Sequence, residues 1–309
     1  MKLLLWLLSG LLLCNLVLAQ GLPQGTEAQV GQHYSAGTRV NISQHGLSFI
    51  VPNGFSGTTI QSSGGRFTIL ARGQDTNVVV WAFTGISKQD AALWLAYPIE
   101  ISENLKFTLL DNPVVQNELV YAYHTSPQLE SLTVLRFGND SAIGFTIITS
   151  KVTSQELPSI GNSLVSNSVF APSPLAESVR QVRQGLGGLY LLHYSFKSAG
   201  TSGFGGTESQ RRWDFCSDGR YAYFGRVESS YTTNNPYAAT SFSLFNTSGA
   251  SEVGTWRLFA LGDTFSILTI SSQGVLDVHT LSNLEQANNK LPFLNGKELG
   301  AYGRSNLCQ

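Results

Sequence analysis

The sequence predicts an α+β N-terminal domain, a curved antiparallel sheet with two helices, followed by an all-β eight-stranded barrel. Three observations lead to this prediction. A proline-containing break, "APSPLAESVRQVRQ", divides the 309 residues into two parts. Before the break, segments rich in β-branched and aromatic residues alternate with two helical patterns. After it, short β-rich segments and frequent turns follow one another with little helical signal.

The start of the chain has the pattern of a secretory signal peptide. Lys2 precedes a mostly apolar run from Leu3 to Leu18, and the small residue Ala19 stands at the expected cleavage site. A membrane helix is the alternative, but the run is shorter than the roughly 20 residues that span a bilayer. We therefore expect residues 1–19 to be removed, which leaves a secreted or periplasmic protein without an integral membrane segment.

The first predicted domain covers residues 46–170 and follows an N-terminal extension at 20–45. Its β-rich segments include "GRFTILARG" and "NVVVWAF", separated by Gly, Asn and Asp turns. Ser87 is a predicted helix N-cap, with Asp90 three residues later. A second helical face is predicted from the spacing of Leu157, Ile160, Leu164 and Val165.

The N-terminal part resembles a known family over Gly46 to Phe170. The "VPNGF" segment and the order strands, helix, strands, helix are similar to PsbP/Mog1-like domains. This resemblance implies a binding or assembly role and transfers no catalytic residues to this chain.

A linker at 171–184, with a short polar helix from Leu175, precedes the second predicted domain, residues 185–309. "SDGR" and "LNGK" carry the Asp-Gly and Asn-Gly signals of tight hairpins. Trp256 and Leu258 alternate with polar neighbours, which is typical of a strand with one apolar face. Eight short segments at this spacing indicate an up-and-down barrel, with a sandwich as the alternative.

This second part resembles a lipocalin-like domain of bacterial secreted proteins over nearly its whole length. The resemblance depends on an initial strand motif, a "FC-x-DG-x-Y-x-Y" hairpin, a "G-x-W" strand and a final "LNG". The matching residues are Gly188, Tyr190, Phe215, Cys216, Asp218, Gly219, Tyr221, Tyr223, Gly254, Trp256, Leu294, Asn295 and Gly296. The resemblance implies a barrel that binds a ligand.

The chain has three cysteines, and signal-peptide removal would take Cys14 with it. Cys216 and Cys308 remain as a pair in an exported, oxidising compartment, which favours a disulfide between them. Two free buried thiols are the alternative. A metal site would need further ligands, and no other His or Cys lies within two residues of either cysteine.

Several function classes lack support in the sequence. The net charge is −1 and the basic residues do not cluster beyond Arg211 and Arg212, so nucleic-acid binding is not expected. No metal-ligand spacing, cofactor motif or nucleophile elbow occurs, and the glycine-rich loop around Ser202 lacks the elbow pattern. Acidic residues lie near strand aromatics, at Glu208, Asp214 and Asp277, but their spacing pairs no two of them. We therefore expect no catalytic residues, metal or cofactor.

Aromatic density is the one positive signal for a site. Tyr190, Trp213, Tyr221, Tyr223 and Trp256 are candidate ligand-binding residues because they lie on neighbouring predicted strands. Such rings either line a cavity or fill the interior of a small barrel. The predicted function is a secreted or periplasmic, non-catalytic binding protein for a small apolar ligand or a protein partner. An envelope-associated structural or scaffold protein is the first alternative, and a hydrolase is the second.

Overall fold

A computed structural model describes residues 21–62, 65–102, 105–198, 204–233, 242–282, 293–299 and 301–308. The predicted signal peptide and the loop around Ser202 lie outside the described residues. The chain forms two compact units. Unit 1 contains the described residues up to Gln181 together with Leu258–Ser266, and unit 2 contains Val182–Arg257 and the residues from Ile267 onwards.

The elements up to the end of the third helix come mainly from unit 1. They are β1 Thr26–Glu27, β2 His33–Tyr34, β3 Arg39–Ile42, β4 Leu47–Ile50, β5 Ser56–Ser62, β6 Gly65–Arg72, β7 Thr76–Thr84, α1 Lys88–Leu95, β8 Ile99–Ser102, β9 Leu105–Leu109, β10 Val114–Gln116, β11 Leu119–Thr125, β12 Leu129–Phe137, β13 Ser141–Ser150, α2 Leu157–Ser166, β14 Val169–Phe170 and α3 Leu175–Leu186.

The remaining elements are strands and a C-terminal 3-10 turn, Asn306–Cys308. The strands are β15 Leu189–Ser198, β16 Phe204–Phe215, β17 Arg220–Thr233, β18 Phe242–Leu261, β19 Thr264–Ser271, β20 Leu276–Ser282, β21 Phe293–Leu294, β22 Lys297–Glu298 and β23 Ala301–Arg304. The turn between β18 and β19, with the strand ends beside it, is the part of this region that belongs to unit 1.

The core of unit 1 lies around an antiparallel ladder in which β13 pairs with both β12 and β7. Nine of the ten residues of β13 are buried, as expected for a strand covered on both faces. Phe145 of β13 packs edge-on against Phe49 of β4, with ring centroids 5.9 Å apart. Buried threonines satisfy one another in this core, because the hydroxyls of Thr133 and Thr146 lie 2.9 Å apart.

The two helices predicted for the N-terminal part are present. The Ser87 side chain accepts a hydrogen bond from the Asp90 N–H at 3.0 Å, so Ser87 caps α1 as predicted. Helix α2 buries Leu157, Ile160 and Leu164 against the sheet, and the Arg136 guanidinium donates to the carbonyl oxygen of Val165 at 2.8 Å. A cation at this end of a helix offsets the partial negative charge of the last carbonyls.

The strands of unit 2 form antiparallel ladders. β16 pairs with β15 and β17, β17 pairs with β18, β19 pairs with β20, and β20 continues through β21 to β22. The turn between β21 and β22 holds Asn295 at φ 52° and Gly296 at φ 71°. Two consecutive positive φ angles define the tight hairpin turn for which Asn-Gly is the preferred sequence.

The predicted fold class is wrong. Within the described residues the chain is mostly β-sheet, with three α-helices and no closed barrel. A closed barrel needs continuous pairing around the sheet, and the four-residue β23 pairs with β15 over Leu189–Leu192 only. The α+β prediction gave too much weight to α1 and α2, which have only 8 and 10 residues. Strands β1 to β3 also occupy the segment predicted as an extension.

The structure confirms the disulfide between Cys216 and Cys308, whose Cα atoms are 4.9 Å apart. Cys216 directly follows β16, and Cys308 ends the C-terminal 3-10 turn. The bond closes a segment with a sequence separation of 92, for which the chain-entropy model gives about 4 kcal/mol of stabilisation. It therefore ties the C-terminal end of the chain to the β16–β17 hairpin.

A buried histidine joins separate segments of unit 1. His45 is fully buried, and its Nε2 lies 2.5 Å from the carbonyl oxygen of Gly262. A carbonyl only accepts, so Nε2 carries the hydrogen, and Nδ1 accepts from the Thr84 hydroxyl at 2.8 Å. Burial lowers the pKa of His45 from 6.5 to about 4, so the ring is neutral in the folded protein near neutral pH.

We predict that His45 makes unit 1 less stable in acid. The unfolded chain binds a proton at this ring below pH 6.5, whereas the folded unit does so only near pH 4. Stability due to the neutral ring is therefore complete above pH 6.5, and about 3 kcal/mol is lost as the pH falls to 4. Denaturant unfolding across this pH range should show the loss in the wild type.

His45→Gln is the variant for this experiment, and the exposed His33→Gln is the matched control. The difference in unfolding free energy between wild type and His45→Gln should shrink as the pH falls from 6.5 to 4, while His33→Gln should follow the wild type. If the unfolding free energies of the wild type and of His45→Gln changed in parallel with pH, the role given to the neutral His45 ring would be contradicted.

Candidate functional site

One face of the sheet in unit 2 lines a cavity of about 210 Å³. Its walls combine aromatic rings with charged and hydrogen-bonding side chains from β16 to β20 and the β21–β22 turn. The lining residues are Arg211, Trp213, Tyr221, Tyr223, Glu252, Thr269, Asp277, His279 and Asn295. Trp213 and Tyr221 are buried, whereas Arg211 and Asp277 are exposed at the cavity.

Antiparallel register brings the cavity residues together. Trp213 of β16 lies opposite Tyr223 of β17, and Tyr223 lies opposite Glu252 of β18. Because side chains alternate between the faces of a strand, Arg211 shares the face of Trp213, and Tyr221 shares that of Tyr223. The three strands thus present one continuous row of functional side chains.

The aromatic rings form a corner of the cavity. The centroids of Trp213 and Tyr223 are 5.5 Å apart with their planes tilted by 44°. The ring of His279 meets Trp213 edge to face, at 6.0 Å and 68°. These distances are within the favourable range for aromatic pairs. Trp213 therefore lies between two other rings, which fix its position at the cavity.

Glu252 is the carboxyl group of the site whose pKa is raised. The Tyr221 hydroxyl donates a hydrogen bond to Glu252 Oε1. Burial raises the pKa of Glu252, and the negative charge of Asp277 raises it further. Both carboxyl groups line the cavity, so Glu252 ionises beside a second negative charge.

His279 is oriented by hydrogen bonds at both ring nitrogens. Asn295 Oδ1 accepts from the Thr280 N–H at 2.8 Å, which directs the Asn295 amide group toward His279. Asn295 Nδ2 then donates to His279 Nδ1 at 3.0 Å, so Nε2 carries the hydrogen and faces the Thr269 hydroxyl at 3.4 Å. Burial lowers the pKa of His279, although Asp277 opposes that shift. The ring is thus a neutral part of the wall.

Three of the five predicted ligand-binding residues lie at this cavity: Trp213, Tyr221 and Tyr223. Trp256 does not line it. Its side chain is 1% exposed, its indole N–H donates to the Cys216 carbonyl oxygen at 2.8 Å, and its ring packs against Phe215 at 5.2 Å. Trp256 therefore fills the core beside the disulfide.

Tyr190 also lies away from the cavity, because it pairs with Asp214 rather than with Trp213 in the β15–β16 ladder. The Arg212 guanidinium lies over the Tyr190 ring at 4.4 Å and donates to both oxygens of Asp214, at 2.8 and 2.7 Å. Asp214 is fully buried. Tyr190 thus belongs to a structural ion-pair cluster on the opposite face of the sheet.

Sequence reasoning missed Glu252, Thr269, His279 and Asn295 as members of the site. Asn295 was recognised only as a turn residue, and Asp277 only as an unpaired acid. Glu252 lies in the 20-residue β18, and eight residues, 234–241, separate this strand from β17, so no short hairpin turn defines their register from sequence. Counting residues from the "SDGR" turn does relate Trp213 to Tyr223, so this part of the row was accessible from sequence.

The described residues contain no group of three or more His, Cys, Asp or Glu side chains arranged to hold a metal ion. Within the same residues, no helix has the length and apolar character needed to cross a membrane. The cavity lining consists of aromatic rings, charged groups and polar side chains such as the Asn295 amide.

No family model matches the chain, and no curated protein matches it. A solved structure that does match is the solution structure of cyanobacterial PsbP (CyanoP) from Synechocystis sp. PCC 6803, at 15% identity. The match covers 49% of this chain and 98% of that chain, with a TM-score of 0.30. A PsbP structure is thus a neighbour over about half of the chain, and a TM-score this low carries no further argument.

The charge coupling in the cavity leads to a prediction about Glu252. Asp277→Asn removes the neighbouring negative charge, so the pKa of Glu252 should fall toward its usual value while the contribution of burial remains. NMR titration of the Glu252 side-chain carboxyl carbon measures this change. Asp218→Asn, at an exposed turn position, is the control and should leave the Glu252 pKa unchanged. The same Glu252 titration in wild type and Asp277→Asn would contradict the coupling.

The ion pair on the opposite face leads to a stability prediction. Asp214→Asn leaves the Arg212 guanidinium without its buried counter-charge and should lower the unfolding free energy of unit 2 by about 2 kcal/mol. The Asp218–Arg220 pair is exposed on both sides, so Asp218→Asn should have a much smaller effect. Denaturant unfolding of both variants provides the measurement. Equal stabilities of the two variants would show that the buried pair adds nothing.

Proposed function

We propose that this protein is an exported, non-catalytic binding protein whose unit 2 holds a small ligand in the cavity. The observation that carries the proposal is the row of Trp213, Tyr223 and Glu252 across three paired strands. This row combines flat apolar surface with hydrogen-bonding and charged groups in one concave place. Aromatic rings with a few placed polar groups recur in small-molecule sites, and the lining here has a larger polar share.

The cavity lining sets the character of the ligand. A volume of about 210 Å³ lies below the roughly 300–1,000 Å³ of sites for drug-sized ligands, which favours a small molecule. Most of the surface that the lining exposes is polar, so the rings contribute contact over a small area rather than a large hydrophobic gain. Arg211, Glu252 and Asp277 lose water when a ligand enters, so they favour a ligand with polar groups over the wholly apolar one that the sequence suggested.

The site favours binding over catalysis because Asn295 donates to His279 Nδ1, which leaves the hydrogen on Nε2, so His279 is not a base for the Thr269 hydroxyl. Glu252 accepts from Tyr221, and His279 contacts Asn295 and Thr269. These contacts orient the groups for recognition.

Export is supported by two features of different kinds. The Cys216–Cys308 disulfide is of the kind that forms and persists in oxidising compartments. The apolar run from Leu3 to Leu18 after Lys2 has the pattern of a secretory leader. Together they favour a secreted or periplasmic location.

The function is tested by titrating the full chain with small probes and recording tryptophan fluorescence and calorimetric heats. The polar probes are choline, glucosamine, glucose and arginine, and the apolar probes are a fatty acid and a retinoid. We expect at least one polar probe to bind with one-to-one stoichiometry and to change the fluorescence. Tyr223→Ala should weaken that binding at least about tenfold by removing one ring of the cavity.

Tyr194→Ala is the matched control, because Tyr194 is an exposed ring of the neighbouring strand β15 and does not line the cavity. It should leave the affinity unchanged. Binding that is equally sensitive to both variants, or no binding of any probe, would overturn the proposed site.

A further inference from the structure

Two carboxyl groups and three tyrosine or tryptophan rings line one small cavity in unit 2. The combination of carboxyl groups with aromatic rings bears on which class of ligand the cavity would bind. Glu252 and Asp277 carry the negative charges, and Trp213, Tyr221 and Tyr223 carry the rings. The faces of such rings are negative as well, because of the quadrupole of the π-system. Rings and carboxylates therefore attract the same kind of charge.

The arrangement of the rings suits a cation that contacts more than one face. Trp213 and Tyr223 are neither stacked nor perpendicular, since their planes are tilted by 44° at a centroid distance of 5.5 Å. Both rings line the cavity, so each presents part of its surface to it. A compact ammonium group lying against both rings gains cation–π attraction from each face within about 6 Å.

The charges of the other lining groups leave the site net negative. Arg211 is one positive charge, and its side chain is exposed. His279 adds no positive charge near neutral pH, because burial lowers the pKa of the ring and Asn295 donates to Nδ1. Two carboxylates against one arginine give the lining a charge of −1 when both acids are ionised.

Glu252 is held in place although its environment disfavours its charge. The Tyr221 hydroxyl donates to it, which fixes one carboxyl oxygen at the cavity wall. Burial and the neighbouring Asp277 both raise its pKa. A bound cation would relieve both penalties, whereas a neutral molecule would relieve neither and an anion would increase them.

We propose that the ligand of this cavity is a small organic cation, with its ammonium group between the rings of Trp213 and Tyr223 and the carboxylates of Glu252 and Asp277. This inference rests on the proposed binding function and names its ligand class. The cavity volume of about 210 Å³ accommodates a compact amine or quaternary ammonium ion rather than a long-chain one.

Choline and 3,3-dimethylbutan-1-ol provide the decisive comparison. The two molecules have nearly the same shape, but a neutral carbon in the alcohol replaces the charged nitrogen. Calorimetric titration of the full chain should give an affinity for choline at least about tenfold higher than for the alcohol. Glu252→Gln should remove most of that preference, and Asp277→Asn, at an exposed side chain, should reduce it. Asp218→Asn should leave it unchanged.

The outcomes separate this inference from the proposed function. Equal affinity for choline and the alcohol, or binding of glucose without binding of choline, would overturn the cation assignment while the cavity remained a binding site. Absence of binding by every polar and apolar probe would overturn both. Near-UV circular dichroism of each variant verifies that its packing is native, and Asp277→Asn supplies the test if Glu252→Gln fails to fold.

Discussion

The antiparallel register of β16, β17 and β18 is the constraint on which the candidate site depends. It sets Trp213 opposite Tyr223 and Tyr223 opposite Glu252. Because side chains alternate along each strand, a slip of one residue would move a whole row to the other face of the sheet. Arg212 and Phe224, which face each other in the same ladder, line a separate groove on that other face. The same register therefore gives the two faces of the sheet different sets of side chains.

Several local features hold this register in place. The "SDGR" turn begins β17, where Asp218 Oδ1 accepts from the Arg220 N–H at 3.0 Å and Gly219 adopts a φ of 89°. The adjacent disulfide attaches the end of β16 to the C-terminal turn. On the face opposite the cavity, the buried Asp214 is neutralised by two hydrogen bonds from Arg212. These contacts lie at the strand ends and on the face opposite the cavity, so they stabilise the strands without occupying the cavity face.

Polar groups in the core of unit 1 and polar groups at the cavity of unit 2 have different roles. In unit 1, the His45 ring and the threonine hydroxyls of the core satisfy one another, so burial there produces stability. In the cavity of unit 2, Glu252 and Asp277 face each other's charge without an opposing cation between them among the described contacts. We propose that the two carboxylates at that place favour a ligand instead. The contrast explains why similar residue types are assigned structural roles in one unit and a binding role in the other.

The sequence by itself determined the local features, because their physical causes act within a few residues. Ser87 caps a helix, and Asn295 and Gly296 form a tight turn. The pairing of Cys216 with Cys308 spans 92 positions and was predicted from the number of cysteines and the compartment, without a local pattern. The sequence also placed Trp213, Tyr221 and Tyr223 correctly as neighbours, since one short hairpin relates them. Tertiary structure alone decided whether the sheet closes, because closure depends on which strand lies beside β23. It likewise decided that Glu252, Asp277 and His279 meet these rings, since their strands are separated from the hairpin by long segments whose register no local pattern encodes.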